Sequence, residues 1–223
     1  MMRDFQNSFQ NLKSYCEHED FKGWDPYDGL NSKIFQALPF KHLYIARLAW
    51  IQGFKRSSIN FRKLLLVPKE HNAKGIALFL SGYCNLYNLA LEGETAFGTK
   101  EELLVKINDL ANLLDRLKNT DFSGACWGYN FDWQSRAFFL PTNTPTVVAT
   151  SFAVEALLKA YEITKNITYY NTAISSASFI QNDLNRIQKG DNLFMFSYSP
   201  LDERAVYNAT LLGSKTLALI YHY

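Results

Sequence analysis

ACWGYNFDWQSRAFFLPTNTPTVVATSFAVEALLKAYEIT, residues 125–164, decides the reading of the fold. An aromatic, Gly-broken loop (Trp127, Gly128, Tyr129, Phe131, Asp132, Trp133, Arg136) runs through a Pro/Thr turn into a segment lined with small residues. Ala149, Ser151, Ala153 and Ala156 predict a helix over 145–164 that neighbours can approach closely. A shorter version comes later in the chain, where Phe196-Ser197-Tyr198-Ser199-Pro200 leads into NATLLGSKTLALIYHY. Thr146 aligns with Asn208, Ala156 with Ala218 and Leu157 with Leu219, a constant offset of 62. Tyr129 to Tyr198 is 69, so the second loop is seven residues shorter. A repeating helix pair with loops of variable length is the sequence signature of helical toroids and solenoids.

Outward from this stretch, helical periodicity continues. Phe5, Phe9, Leu12 and Cys16 mark a helix over 4–18. Pro26 and Gly29 punctuate the next segment, and Asn31 or Ser32 can cap the next helix. A helix over 32–53 is expected to kink or split at Pro39, and a short one over 58–66 to end before Pro68. Residues 72–91 are apolar almost all round, which suits an inner helix. Residues 99–118 open with the capping box Thr99/Glu102 and are amphipathic, as are 168–188, so both suit outer helices. Residues 205–223 are expected to be a third inner helix. Strand signals are weak throughout. Together these predict an all-α fold: one domain over 1–223, an incomplete α/α toroid of helical hairpins of the six-hairpin kind. Roughly eight helices fit the length, whereas a closed ring of six hairpins needs about twelve. The last helix reaches Tyr221, His222 and Tyr223 with no Gly stop, which predicts the N-terminal part of a longer ring, open and apolar near Leu211, Leu217 and Ile220.

Composition narrows the function. With 48% hydrophobic residues in 223, the chain can bury a core and is not disordered. Aromatic content of 15%, with 13 Tyr and 17 Phe, fits either a large aromatic core or a ring-stacking surface. Net charge is +2 with no long basic run, so nucleic acid is not an expected partner. The N-terminus lacks the apolar core of a secretion signal, and no uninterrupted apolar stretch is long enough to span a membrane, so a cytoplasmic location is expected. Three scattered cysteines, Cys16, Cys84 and Cys126, read as reduced thiols. The four histidines show no metal spacing, and no phosphate-binding Gly-Lys loop, GxGxxG or GxSxG occurs. Neither metal nor cofactor is expected.

Two clusters carry candidate chemistry. Asp25 and Asp28 flank Pro26-Tyr27 and could serve as acid and base on a sugar, with Asp132 a third carboxylate, or could simply shape turns. Trp24, Tyr27, Trp127, Tyr129, Trp133, Gln134, Arg136 and Tyr198 are the candidate binding residues. Aromatic faces stack on sugar C–H faces, while Gln and Arg offer directed donors. The competing reading packs these rings into the hairpin ends and pairs Asp132 with Arg136. The loops at 23–32, 125–136 and 196–204 are expected on one face, sharing a pocket.

GWDPYDGLNS (23–32), CWGYNFDWQSR (126–136), PTVVATSFAVEALL (145–158) and FSYSPLDERAVYNATLLGS (196–214) resemble a family of bacterial α/α-toroid proteins encoded among genes for capsule, exopolysaccharide or lipopolysaccharide synthesis. Some members carry the label delta-aminolevulinate dehydratase, but that enzyme is a β/α barrel, and this chain lacks the strand–helix alternation a barrel needs. The resemblance implies a role in surface-polysaccharide biosynthesis with an oligosaccharide or polysaccharide precursor as partner, and no set of catalytic residues. A hydrolase, lyase or epimerase and a non-catalytic glycan- or partner-binding scaffold both remain open.

Overall fold

The structure is a computed structural model that describes residues 2–223, and the side chains from Phe5 onward. Its described residues are 56% helical but also 10% strand, in two antiparallel two-stranded ribbons. The chain is therefore mostly helical rather than the all-α toroid its periodicity predicts. The ribbons lie where the sequence reads as loop or helix. In the first, β1 (Trp133–Gln134) pairs with β2 (Phe139–Leu140). Ser135 closes its turn, the hydroxyl accepting the Ala137 and Phe138 N–H groups. In the second, β3 (Arg186–Gly190) pairs with β4 (Leu193–Phe196). Asn192 sits there at φ +59°, the left-handed conformation that Asn tolerates in tight hairpins. The helix expected over 168–188 is cut short accordingly. It runs Ile167–Ser178, loosens into one π turn at Phe179–Asp183 and turns extended at Leu184.

The chain forms two compact units. Unit 1 is Met1–Asn72 with Asn130–Thr142, and unit 2 is Ala73–Tyr129 with Asn143–Tyr223. Unit 1 holds α1 (Met2–His18), a 3-10 turn at Asp28–Asn31, α2 (Lys33–Ala37), α3 (Tyr44–Arg56) and the first ribbon. Ser32 caps α2 by accepting the Phe35 N–H at 3.2 Å. Leu38 is extended at ψ 141°, as the residue before Pro39 must be, so the helix expected over 32–53 splits there. Residues 58–66 form turns rather than the expected short helix. A small core of Leu30, Phe35 and Ile51 gathers Tyr27, Leu38, Trp50, Trp133 and Phe139 around it.

Unit 2 holds α4 (Ala73–Leu91), α5 (Lys100–Arg116), α6 (Val147–Thr164), α7 (Ile167–Ser178), the second ribbon and α8 (Tyr207–His222). The capping box is present, with Glu102 N–H to Thr99 Oγ1 and Thr99 N–H to Glu102 Oε2. Helix α6 is the hub, touching α4, α5, α7 and α8. Its small residues allow this, and Ala149, Ala153, Ala156 and Ala160 are fully buried. The third inner helix is not as expected. Helix α8 buries only Ala209, Gly213 and Thr216, against five residues in α5 and four in α7. Leu211 is exposed, and Leu217 and Ile220 are half-buried. Before α6, Gly128 bridges to Pro145, and before α8, Ser197 bridges to Ala205. The helices begin after Thr146 and Val206, so the loop-to-helix repeat has an offset of 60 at the caps rather than 62.

Cys84 and Cys126 are buried and unbridged, and burial pushes both thiols up to about 12 from an ordinary 9.0. A thiol held protonated by folding stabilises fully below its unfolded value and loses that contribution as pH rises through the folded one. Stability should therefore fall between about pH 9 and 12, by on the order of 1 kcal/mol per pH unit per thiol. Urea unfolding of wild type and the Cys84→Ala/Cys126→Ala double variant across this range checks it. The double variant should show the shallower decline, and equal slopes would exclude the thiols as its source.

Candidate functional site

In unit 1 the two N-terminal carboxylates are braces. Asp28 is 3% exposed. Its Oδ1 accepts Arg62 Nε–H at 2.8 Å and its Oδ2 accepts the Asp25 N–H at 2.9 Å. Arg62 also donates to the Asp25 carbonyl at 2.8 Å, and Asp25 Oδ1 accepts the Tyr27 N–H at 2.9 Å. Burial pushes the Asp28 carboxyl above its ordinary value, while Arg62 and the Asp25 N–H pull against it. These contacts fold the 25–28 turn and fix it to Arg62. Trp24 likewise spends its Nε1–H on the Val67 carbonyl at 3.0 Å, with the Lys69 ammonium 5.0 Å over its ring.

The aromatic loop is divided between the units. Residues 125–129 belong to unit 2 and 130–136 to unit 1. Trp127 is fully buried, its Nε1–H donating to the Leu114 carbonyl at 2.8 Å and its N–H to Thr150 Oγ1 at 3.1 Å. It has no face to offer a sugar, and the expectation that it stacks on ligand is corrected to a core role. The Tyr129 and Tyr198 hydroxyls, paired in the sequence repeat, share a hydrogen bond of 2.9 Å. Burial, with Tyr129 adding to it, holds the Tyr198 hydroxyl well above the usual tyrosine range. Beside it Asp202, 6% exposed, accepts the Ser199 N–H, the Ser199 hydroxyl and the Arg204 N–H. This loop is thus closed by its own hydrogen bonds.

Of the candidate rings, Tyr27 and Trp133 in unit 1 are half-buried. Half-buried Trp133 stands edge-to-face with Tyr27 at 5.9 Å and with Phe138 at 5.4 Å. Lys55 Nζ lies 4.6 Å over the Tyr27 ring and donates to its hydroxyl at 2.7 Å. Asp132 accepts the Thr142 N–H at 2.8 Å, and Arg136 is exposed and in no ion pair among the described residues, so the Asp132–Arg136 pair of the competing reading does not form. Gln134, 3% exposed, donates to the Ser135 and Phe138 carbonyls, and its Oε1 has no partner. Across the ribbon, Phe139 carries the Arg47 guanidinium 3.9 Å over its ring, and Arg47 Nε is also buried without a partner. Arg47, Lys55 and Arg62 are the residues that motif reading missed. Arg47 is a lone cation in an apolar run, Lys55 and Arg62 each sit beside a second cation, and only the fold shows what each faces.

Chemically, unit 1 presents edge-to-face rings with cations beside them, and Asp25, Asp28 and Asp132 each accept a backbone N–H, Asp28 the Arg62 guanidinium as well. Among the described residues no three His, Cys, Asp or Glu side chains group as a metal site would require. No helix among them is long and apolar enough to cross a membrane. No protein-family model matches the chain, and neither a curated protein nor a solved structure matches it.

Proposed function

We propose that this chain is a non-catalytic sugar-binding protein of bacterial surface-polysaccharide assembly, acting in the cytoplasm, and that Tyr27, Trp133 and Phe138 form its stacking face. The observation that carries this is the half-buried, edge-to-face run of those three rings with Lys55 seated on Tyr27. Such a surface offers aromatic faces to sugar C–H groups and a cation to a hydroxyl or carboxylate. The non-catalytic part is supported by Asp25, Asp28 and Asp132, each of which holds a backbone N–H in place. The polysaccharide context is supported by the resemblance of the four quoted segments to proteins of such gene clusters.

The test is titration calorimetry of the full chain with neutral and acidic oligosaccharides, beside Trp133→Leu and Phe138→Ala. A ring contact worth about 1 kcal/mol predicts a loss of affinity of roughly fivefold to tenfold in each variant. Melting temperatures within a few degrees of wild type would separate lost binding from lost packing. A wild type that binds none of the sugars, or that turns one over, would overturn the proposal.

A further inference from the structure

The net charge of +2 conceals a strong asymmetry. Residues 29–69 contain eight Lys/Arg and no Asp or Glu, which leaves 15 Lys/Arg against 21 Asp/Glu elsewhere. Two of the eight are neutralised, Arg62 by Asp28 and Lys69 by Glu19. Among the described residues, exposed Lys33, Lys55, Arg56 and Lys63 are in no ion pair. The same segment leaves large apolar side chains in water. Ile45 is 77% exposed, Leu64 71%, Ile59 63%, Leu43 61% and Leu66 53%. Ordinary surfaces expose such residues singly, whereas here they are dense along the chain and interleaved with four cations in no ion pair.

We infer that segment 33–69 of unit 1 docks on an anionic membrane surface, its Leu and Ile side chains entering the headgroup boundary and its Lys and Arg meeting lipid phosphates. Both halves of the surface must be matched by one partner. A second copy docking by this same face would bring like charge against like, and no other part of the chain is singled out as an apolar match for Ile45 and Leu64. A soluble acidic polymer supplies charge but no apolar phase for Ile45 and Leu64. An anionic bilayer supplies both, and juxtaposed basic and aliphatic residues are how peripheral segments hold to one. Short helices and turns suit lying on the surface, and no described helix is built to cross it. The segment shares Lys55 with the sugar-binding proposal, while Tyr27, Trp133 and Phe138 lie outside it, so the test uses cations away from those rings.

Cosedimentation of the full chain with vesicles tests it. Vesicles of phosphatidylcholine alone are compared with vesicles containing about one-third phosphatidylglycerol, each at low and high salt. Wild type should bind the anionic vesicles, release at high salt and leave the neutral ones unbound. Ile45→Ser/Leu64→Ser and Lys33→Glu/Lys63→Glu should each weaken binding at least tenfold. Unchanged circular dichroism and melting temperature in both variants would show that the fold is kept. No binding, equal binding to neutral vesicles, or binding indifferent to both double variants would overturn the inference. So would binding to soluble polyglutamate as tight as to vesicles and unaffected by Ile45→Ser/Leu64→Ser, which would assign the face to an acidic polymer.

Discussion

Trp127→Ala is expected to remove most of the stability of unit 2. The indole is fully buried, and deleting a core Trp costs about 3–5 kcal/mol in lost transfer and cavity. The Leu114 carbonyl, which accepts its Nε1–H, keeps the Leu117 N–H at 3.2 Å, so the lost bond adds about 1 kcal/mol. A domain of this size has about 5–15 kcal/mol in total, so the variant should unfold at low urea or fail to fold. Trp127→Phe keeps much of the ring volume and loses the N–H, so its cost should be smaller, about 1–3 kcal/mol. Urea midpoints of both variants are the measurement. A Trp127→Ala protein within about 1 kcal/mol of wild type would place the indole outside the core. The same substitution on a sugar-facing ring would have left stability nearly unchanged, so the experiment also separates the two roles the motif allows.

Trp127 and Trp133 show what can be read from residues alone. Both sit in CWGYNFDWQSR, six residues apart, among the same neighbours. One is fully buried and the other half-buried because of groups distant in sequence. Leu114 and Thr150 take the Trp127 donors, while Tyr27 and Phe138 meet the Trp133 ring. Local pattern carries no record of those partners. Where a signal is local it is legible. The apolar runs mark α4, α5, α6 and α8 to within about two residues of their ends, Thr99/Glu102 forms its box, and Pro39 divides its helix. The ribbons are less legible because each depends on one turn. Ser135 and Asn192 set those turns with a side-chain hydrogen bond or a left-handed backbone, and neither disturbs the apolar pattern. Asp25 and Asp28 resemble an acid–base pair in sequence only because Arg62, which claims Asp28, lies 34 residues on. The pattern of α8 overstates its burial for a related reason. Apolar composition says what a helix could bury, not whether a neighbour is there to cover it.

Gly124→Ala should be a second severe lesion, and its cause is space rather than backbone conformation. The φ of Gly124 is not in the left-handed region, so alanine could adopt it. Its Cβ, however, would collide with the Ser175 carbonyl oxygen, lying 2.7 Å from the Ser175 carbonyl carbon and 3.2 Å from the Phe179 nitrogen. All three atoms belong to the backbone at the end of α7, so no rotamer change relieves the contact. The loop must instead move away from α7. That breaks the Ala125 N–H to Ser175 Oγ bond at 3.1 Å and the Ser176 hydroxyl to Ala125 carbonyl bond at 2.6 Å, and it separates Phe122 from Phe179. Overpacking of about 1–3 kcal/mol plus two hydrogen bonds at about 1 kcal/mol each gives an expected cost of roughly 3–5 kcal/mol. Two other glycines supply the scale. Gly93 has open space around it but sits at φ +97°, so Gly93→Ala should cost about 1 kcal/mol through backbone strain alone. Gly190 has open space and no such φ, so Gly190→Ala should be nearly neutral, within about 0.5 kcal/mol. Urea denaturation of the three variants should rank them in that order. If Gly124→Ala is no less stable than Gly93→Ala, the loop does not pack on α7 as closely as these distances require.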